Sequence, residues 1–286
     1  MTAAPRARTA GTPTKRRALT GQRLGLLSST LPGWQPEMIC EAALAAGLQG
    51  VEWATGVGQS LGPRDTAAHA ERIWKICTDR GLSVCGLSAQ DDRVLSRPID
   101  EFERLVELAS AAGASQLRVF APRPSGGPII AELGRLSELL AERVSVATRS
   151  GVVLLVEMAP ATLIPGPEWL IRVGGHLACQ AFGAVYDPGS MMLEGHVAPS
   201  VAVDVLGGYL HHLHVKDVVP RRVGGVWKWV HVRPGTGLVP WPEVLDALSV
   251  SGYGGWLVID HLSGAPGPAR LQADVRAFRA LLEPAS

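Results

Sequence analysis

Eight short apolar runs recur along this chain, and each is followed by a longer segment with the amphipathic pattern of a helix. The runs are Leu24–Leu27, Gly50–Ala54, Ser83–Leu87, Gln116–Phe120, Val152–Met158, Gly183–Tyr186, Leu210–Val215 and Trp256–Ile259. Short runs rich in Val, Leu and Ile read as parallel strands buried on both faces. The segments predict helices over Glu37–Ala46, Thr66–Arg80, Ile99–Ala112, Pro128–Arg149, Glu168–His176, Pro199–Gly207, Pro242–Ser249 and Pro268–Leu282. Pro36 ahead of the first, and Gly47, Gly81 and Gly113 just past the ends of the first three, are the expected punctuation. Eight strand–helix alternations predict an α/β fold closed into a single (β/α)8 TIM barrel over residues 21–286. An open doubly wound sheet is the competitor, but no GxGxxG follows the first strand and no phosphate-loop motif is present.

Composition narrows the partners. The formal net charge is +1, so no global field favours nucleic acid. No run of about 18 apolar residues marks a membrane span. Cys40, Cys77, Cys85 and Cys179 form no CxxC pair and read as small buried hydrophobes in a reducing, cytoplasmic setting. Residues 1–20 are basic, contain no acid and lack the apolar core of a secretory signal, so they are expected to form a disordered extension. Trp dominates the aromatics, with eight against three Tyr and four Phe, and Trp suits the wall of a sugar-like pocket as well as a core.

Catalytic groups of such a barrel gather at the C-terminal ends of the strands. There the sequence places Glu52 and Trp53, Glu157, Asp187, the HLHVKD segment, and Asp260 with His261. Glu157, Asp187, His214 and Asp260 each terminate an apolar strand. Several buried carboxylates need a neutralising cation. Three carboxylates and an imidazole suit Mn2+, Mg2+ or Co2+, with Zn2+ also compatible. His212 is expected beneath His214 inside the barrel and His211 outside it, because strand side chains alternate. Lys216 is expected on the opposite face from His214, towards the outer packing. It stays a catalytic candidate because the chain is turning there. Trp34 and Trp53 are expected as an apolar pocket wall, with Glu52 beside them at the substrate. Arg221 and Arg222, in a Gly- and Trp-containing loop after strand seven, are candidates for a substrate anion.

Four stretches resemble the sugar-phosphate isomerase/epimerase group of xylose isomerase-like barrels. They are GLQGVEWA, LLVEMAP, YDPGSMMLEGH, and HLHVKD through PGTGLVPWPEVLDALSVSGYGGWLVID. The resemblance spans about Arg23 to Leu282. It implies a divalent metal on Glu157, Asp187, His214 and Asp260, with Glu157 and Asp260 also moving protons. The implied reaction is isomerisation or epimerisation of a small hydroxy-carbonyl compound through an ene-diolate; a homodimer would be ordinary for the group.

Three departures bear on substrate. Asp260 stands where the group has Glu. Leu163 and Ser190 replace the Glu and His of its ketose 3-epimerases, so Ser190 is expected at the substrate with altered chemistry. Pro220 replaces their Arg, with Arg221 and Arg222 following. A free-ketose 3-epimerase is therefore disfavoured. A lyase or dehydratase needs the same metal and base, and a non-catalytic barrel with a weakened metal site is kept open by Asp260. A trinuclear-zinc endonuclease would need further His ligands that Leu87–Gln90 and Phe120–Pro122 do not offer.

Overall fold

Eight parallel strands close into a barrel in the computed structural model, which describes residues 19, 21–62, 64–195 and 197–283. The extension expected over residues 1–20 lies, apart from Leu19, outside the described residues. The barrel strands are β1 (Arg23–Leu27), β2 (Gly50–Thr55), β3 (Ser83–Ala89), β4 (Gln116–Phe120), β5 (Val153–Glu157), β6 (Phe182–Tyr186), β7 (Leu210–Val215) and β10 (Trp256–Ile259). Closure comes from β1, which pairs in parallel with both β2 and β10. The helices are α1 (Pro36–Ala45), α2 (Ala67–Thr78), α3 (Ile99–Ala111), α4 (Ile129–Arg149), α5 (Pro167–Gly174), α6 (Pro188–Glu194), α7 (Pro199–Leu206), α8 (Trp241–Ser251) and α9 (Pro268–Leu282). Among the described residues no helix is long and apolar enough to cross a membrane.

Two features exceed the expected alternation. Asp187 caps a short extra helix, α6, because its Oδ1 accepts from the Ser190 amide at 2.9 Å. The stretch after β7 is an antiparallel hairpin, β8 (Asp217–Val223) and β9 (Val226–Val232), where the sequence reading expected a loop. The Asp217 carboxylate fixes its base by accepting from the amides of Val218, Gly235, Gly237 and Val239 at 2.9–3.1 Å. Gly237 must lack a side chain, since a Cβ there would fall 2.1 Å from Asp217 Oδ1.

The main core lies between strands and helices, as the strands' outward Val, Leu and Ile require. Inside the barrel, Leu27, Ala54, Cys85, Trp256 and Val258 form a separate apolar plug. Gly50 makes room for it, because a Cβ there would meet Cys85 Sγ at 2.6 Å and the Trp256 ring at 2.9 Å. Of the cysteines, Cys40, Cys77 and Cys85 are buried and Cys179 is half-buried.

Candidate active site and metal centre

Charged side chains inside the barrel gather towards the C-terminal half of the strands, with Glu52 and Arg118 lying within β2 and β4. His212, His214 and Lys216 share the inner face of the β7 end at a spacing of two. His214 lies level with Val258 in the β10 register. The expected outward orientation of Lys216 is therefore wrong: residues 214 and 216 have the same parity, and no bulge intervenes between them. The Lys216 ammonium sits 2.5 Å from Asp187 Oδ2 and 3.3 Å from Asp260 Oδ2. His211 turns outward and meets the Cys179 carbonyl at 2.7 Å.

Glu157, Asp187 and His214, all buried, each bring a donor atom to within 4.8 Å of the others. Asp260 Oδ1 is 4.0 Å from His214 Nδ1, at the edge of this group. His214 Nε2 lies 3.1 Å from Glu52 Oε2, which also meets His212 Nε2 at 2.9 Å. A carboxylate can only accept, so a neutral His214 would carry its proton on Nε2 and turn the Nδ1 lone pair towards Glu157 and Asp187. Nδ1 is buried without a hydrogen-bond partner and faces Glu157 Oε2 at 3.4 Å.

The charge balance tests whether these residues fit a metal. Four carboxylates are buried here, those of Glu52, Glu157, Asp187 and Asp260. The fixed cations facing them are Arg118, whose Nε is 2.9 Å from Glu157 Oε2, and Lys216. Four negative charges against two positive leave two uncompensated with neutral imidazoles, which one divalent cation would cancel. The oxygen-rich donor set and the unpartnered His214 Nδ1 fit the same ion.

Burial would raise the Glu157 carboxyl, but Arg118 and His214 draw it down to about 2. Burial dominates at Asp187 and raises it despite Lys216. Asp260 is held well below the usual range against its burial by His261, whose Nδ1 lies 2.7 Å from Asp260 Oδ2, and by Lys216. His214 and Lys216 are raised against the effect of burial, each by the surrounding carboxylates. Metal-free, the site holds its charge with protons and ammonium where a metal would hold it with one ion.

Several expected substrate residues lie elsewhere. Trp53 is fully buried outside the barrel, its Nε1 donating to Cys77 Sγ at 3.3 Å. Its neighbour Glu52 points inward, so alternation sends Trp53 out. Glu52 itself lies beneath His214 as a positioning residue. Ser190 is buried against Asp187, its Oγ donating to Oδ2 at 3.0 Å. Trp34 lines a cleft of about 280 Å3 with Leu31, His69 and Arg72, and none of the site carboxylates line it. Arg221 and Arg222 are exposed on the hairpin, where Arg222 Nε donates to the Gly225 carbonyl. Arg118 was missed. Its signal was a lone cation at an inward position of the apolar strand QLRVF. His231 was also missed; its ring packs against His261 with centroids 3.9 Å apart.

The sequence profile of the xylose isomerase-like TIM barrel family matches residues 40–281, and the chain belongs to that family. A Streptomyces coelicolor protein named "putative hydroxypyruvate isomerase" is 26% identical over 267 residues, covering 83% of this chain and 91% of that one. The 3-keto-D-glucoside 4-epimerase of E. coli superposes with a TM-score of 0.71 at 17% identity, over 91% of this chain and 98% of that one. A xylose isomerase-like barrel protein of Mycobacterium smegmatis, solved in complex with magnesium, gives 0.68 at 14% identity, over 91% and 96%.

Proposed function

We propose that this chain is an isomerase or epimerase of a small sugar, polyol or related hydroxy-carbonyl compound and works with one divalent cation. The observation that supports this most is the buried donor set of Glu157, Asp187 and His214 at the barrel mouth, with Asp260 beside it and two negative charges to spare. The sugar isomerase and epimerase names of similar proteins agree with it. Glu157, Asp187, His214 and Asp260 would hold the metal, with Mn2+, Mg2+ or Co2+ favoured by their oxygen donors and Zn2+ compatible. Such a cation supplies Lewis-acid stabilisation of the negative charge that grows on a substrate oxygen as a neighbouring C–H proton leaves.

The chain's own groups carry the protons. Arg118 keeps Glu157 ionised, so one of its carboxylate oxygens takes the substrate proton. Asp260 is ionised at rest, so it returns a proton only after taking one from the Lys216 ammonium 3.3 Å away, which is replenished from solvent as Glu157 loses its own proton there. Return to the same carbon from the opposite side inverts it, and return to the adjacent carbon gives the aldose–ketose shift. Lys216, between Asp187 and Asp260, neutralises both and presents an ammonium proton to a substrate oxygen. Asp260, one methylene shorter than Glu, is braced by Lys216 and His261, which fixes its reach.

The test is elemental analysis of the purified chain and of a Glu157→Gln/His214→Ala double variant, followed by solvent deuterium exchange into carbon-bound positions of small ketoses and inososes. The expected result is about one Mn, Mg, Co or Zn per chain, lost in the variant, with exchange that needs the metal. No metal in either protein after incubation with excess Mn2+ would overturn the reading.

A further inference from the structure

The β8–β9 hairpin carries its aromatic residues on one face. Directly paired residues of an antiparallel ladder share a face, and faces alternate along each strand. The register therefore places Val218 with His231, Pro220 with Trp229 and Arg222 with Trp227 on one side. Arg221 and Lys228 fall on the other side among valines. The aromatic face begins at the site, because His231 packs against His261, which holds Asp260 Oδ2 at 2.7 Å. From His231 the strand rises by about 3.4 Å per residue, so Trp229 stands about 7 Å and Trp227 about 14 Å further out. Trp229 is 42% exposed and Trp227 70% exposed. Large indoles this open are costly unless something covers them. The platform is also rigid at its root, where Asp217 ties the hairpin to the Gly235–Val239 turn.

We propose that the His231, Trp229 and Trp227 face is a binding subsite for a second sugar ring, so that the substrate is a glycosylated keto or hydroxy-carbonyl sugar and not a free monosaccharide. The proposal rests on the isomerase or epimerase reading of the carboxylate site and deepens it. A pyranose presents an apolar C–H face and a polar rim. Stacked Trp rings with neighbouring donors match both. A single carbohydrate unit at the carboxylates would leave the two indoles uncovered, whereas a unit joined to it by a glycosidic bond would lie along the strip. No carboxylate stands on this face to compete for the ring hydroxyls. Arg222, the one cation there, turns its Nε back to the Gly225 carbonyl.

The experiment compares fructose with the ketose disaccharides isomaltulose, turanose and lactulose, which carry their second ring at three different positions. Binding to the full chain in Mg2+ is followed by calorimetry and Trp fluorescence, for wild type and for Trp229→Ala and Trp227→Ala. These replacements are at exposed positions and should leave folding intact. At least one disaccharide should bind about tenfold tighter than fructose. That advantage should vanish in the variants while fructose affinity stays the same. Equal affinity for fructose and all three disaccharides, or an advantage that survives both replacements, overturns the subsite but leaves the catalytic reading standing. Failure of every sugar to bind overturns the subsite, and the catalytic reading then stands or falls on the metal content of the purified chain. If the replacements instead change the sedimentation coefficient without touching the sugar preference, the face is an interface between copies, and the proposal fails.

Discussion

Replacing Glu52 by Gln tests whether the barrel interior orients His214 for the proposed metal. The substitution keeps shape and removes one charge at a residue that is 1% exposed. Glu52 Oε2 faces His214 Nε2 at 3.1 Å and His212 Nε2 at 2.9 Å. Hydrogen bonds to a charged partner contribute about 1.5–3 kcal/mol, against about 0.5–1.5 for neutral pairs. Each imidazole contact should therefore weaken by about 1 kcal/mol or slightly more. The Gln amide oxygen can still accept, so over the two contacts the metal-free fold should lose about 2 kcal/mol or slightly more. The share borne by His214 should lower its basicity and its hold on one tautomer. Mn2+ affinity should then fall about tenfold, the lower end of what such outer partners of metal-ligating histidines contribute. Chelator competition measures this directly. In thermal melts at saturating Mn2+, a tenfold weaker site removes about 1.4 kcal/mol of stabilisation. The Mn2+-induced rise in Tm should shrink by about 2 °C. Trp53→Phe, one residue away on the outer face, is the control and should leave Mn2+ affinity unchanged. Affinity within twofold of wild type in Glu52→Gln would refute the orienting role, provided that His214→Ala abolishes binding.

Mn2+ binding should weaken as pH falls and should release protons, seen as a buffer-dependent heat in calorimetry, because the carboxylates around metal-free His214 raise its pKa and the ligand must be neutral. Metal-free stability should decline in acid. Glu157 has a folded value of about 2 against an ordinary 4.5, so its contribution is complete above the ordinary value and is lost as pH falls towards 2. Urea titrations of Glu157→Gln should show a flatter decline over that window. Gly237→Ala should cost about 3 kcal/mol in urea and speed tryptic cleavage in the hairpin, since its Cβ would sit 2.1 Å from Asp217 Oδ1 and 2.7 Å from the Val218 carbonyl.

The alternation of buried strands and amphipathic helices was written locally, so periodicity alone led to the closed barrel, and each of its eight strands lies within two residues of its expected bounds. Strand-end placement likewise singled out Glu157, Asp187, His214 and Asp260, because a carboxylate at the end of an apolar run is conspicuous in one dimension. Which way a side chain turns, and what it meets, depends on register between strands distant in sequence. Glu52 meets His214 across 162 residues of chain, a pairing that its place in sequence did not reveal. The same inward turn forces Trp53 into the outer core. Arg118 looked like an incidental cation until the β4–β5 pairing brought it to Glu157, 39 residues on. The sequence by itself determined the barrel and the chemical type of its mouth. Only tertiary structure decided the charge balance there and the partners that set the His214 ring, because both depend on groups that meet through the closed sheet and not along the chain.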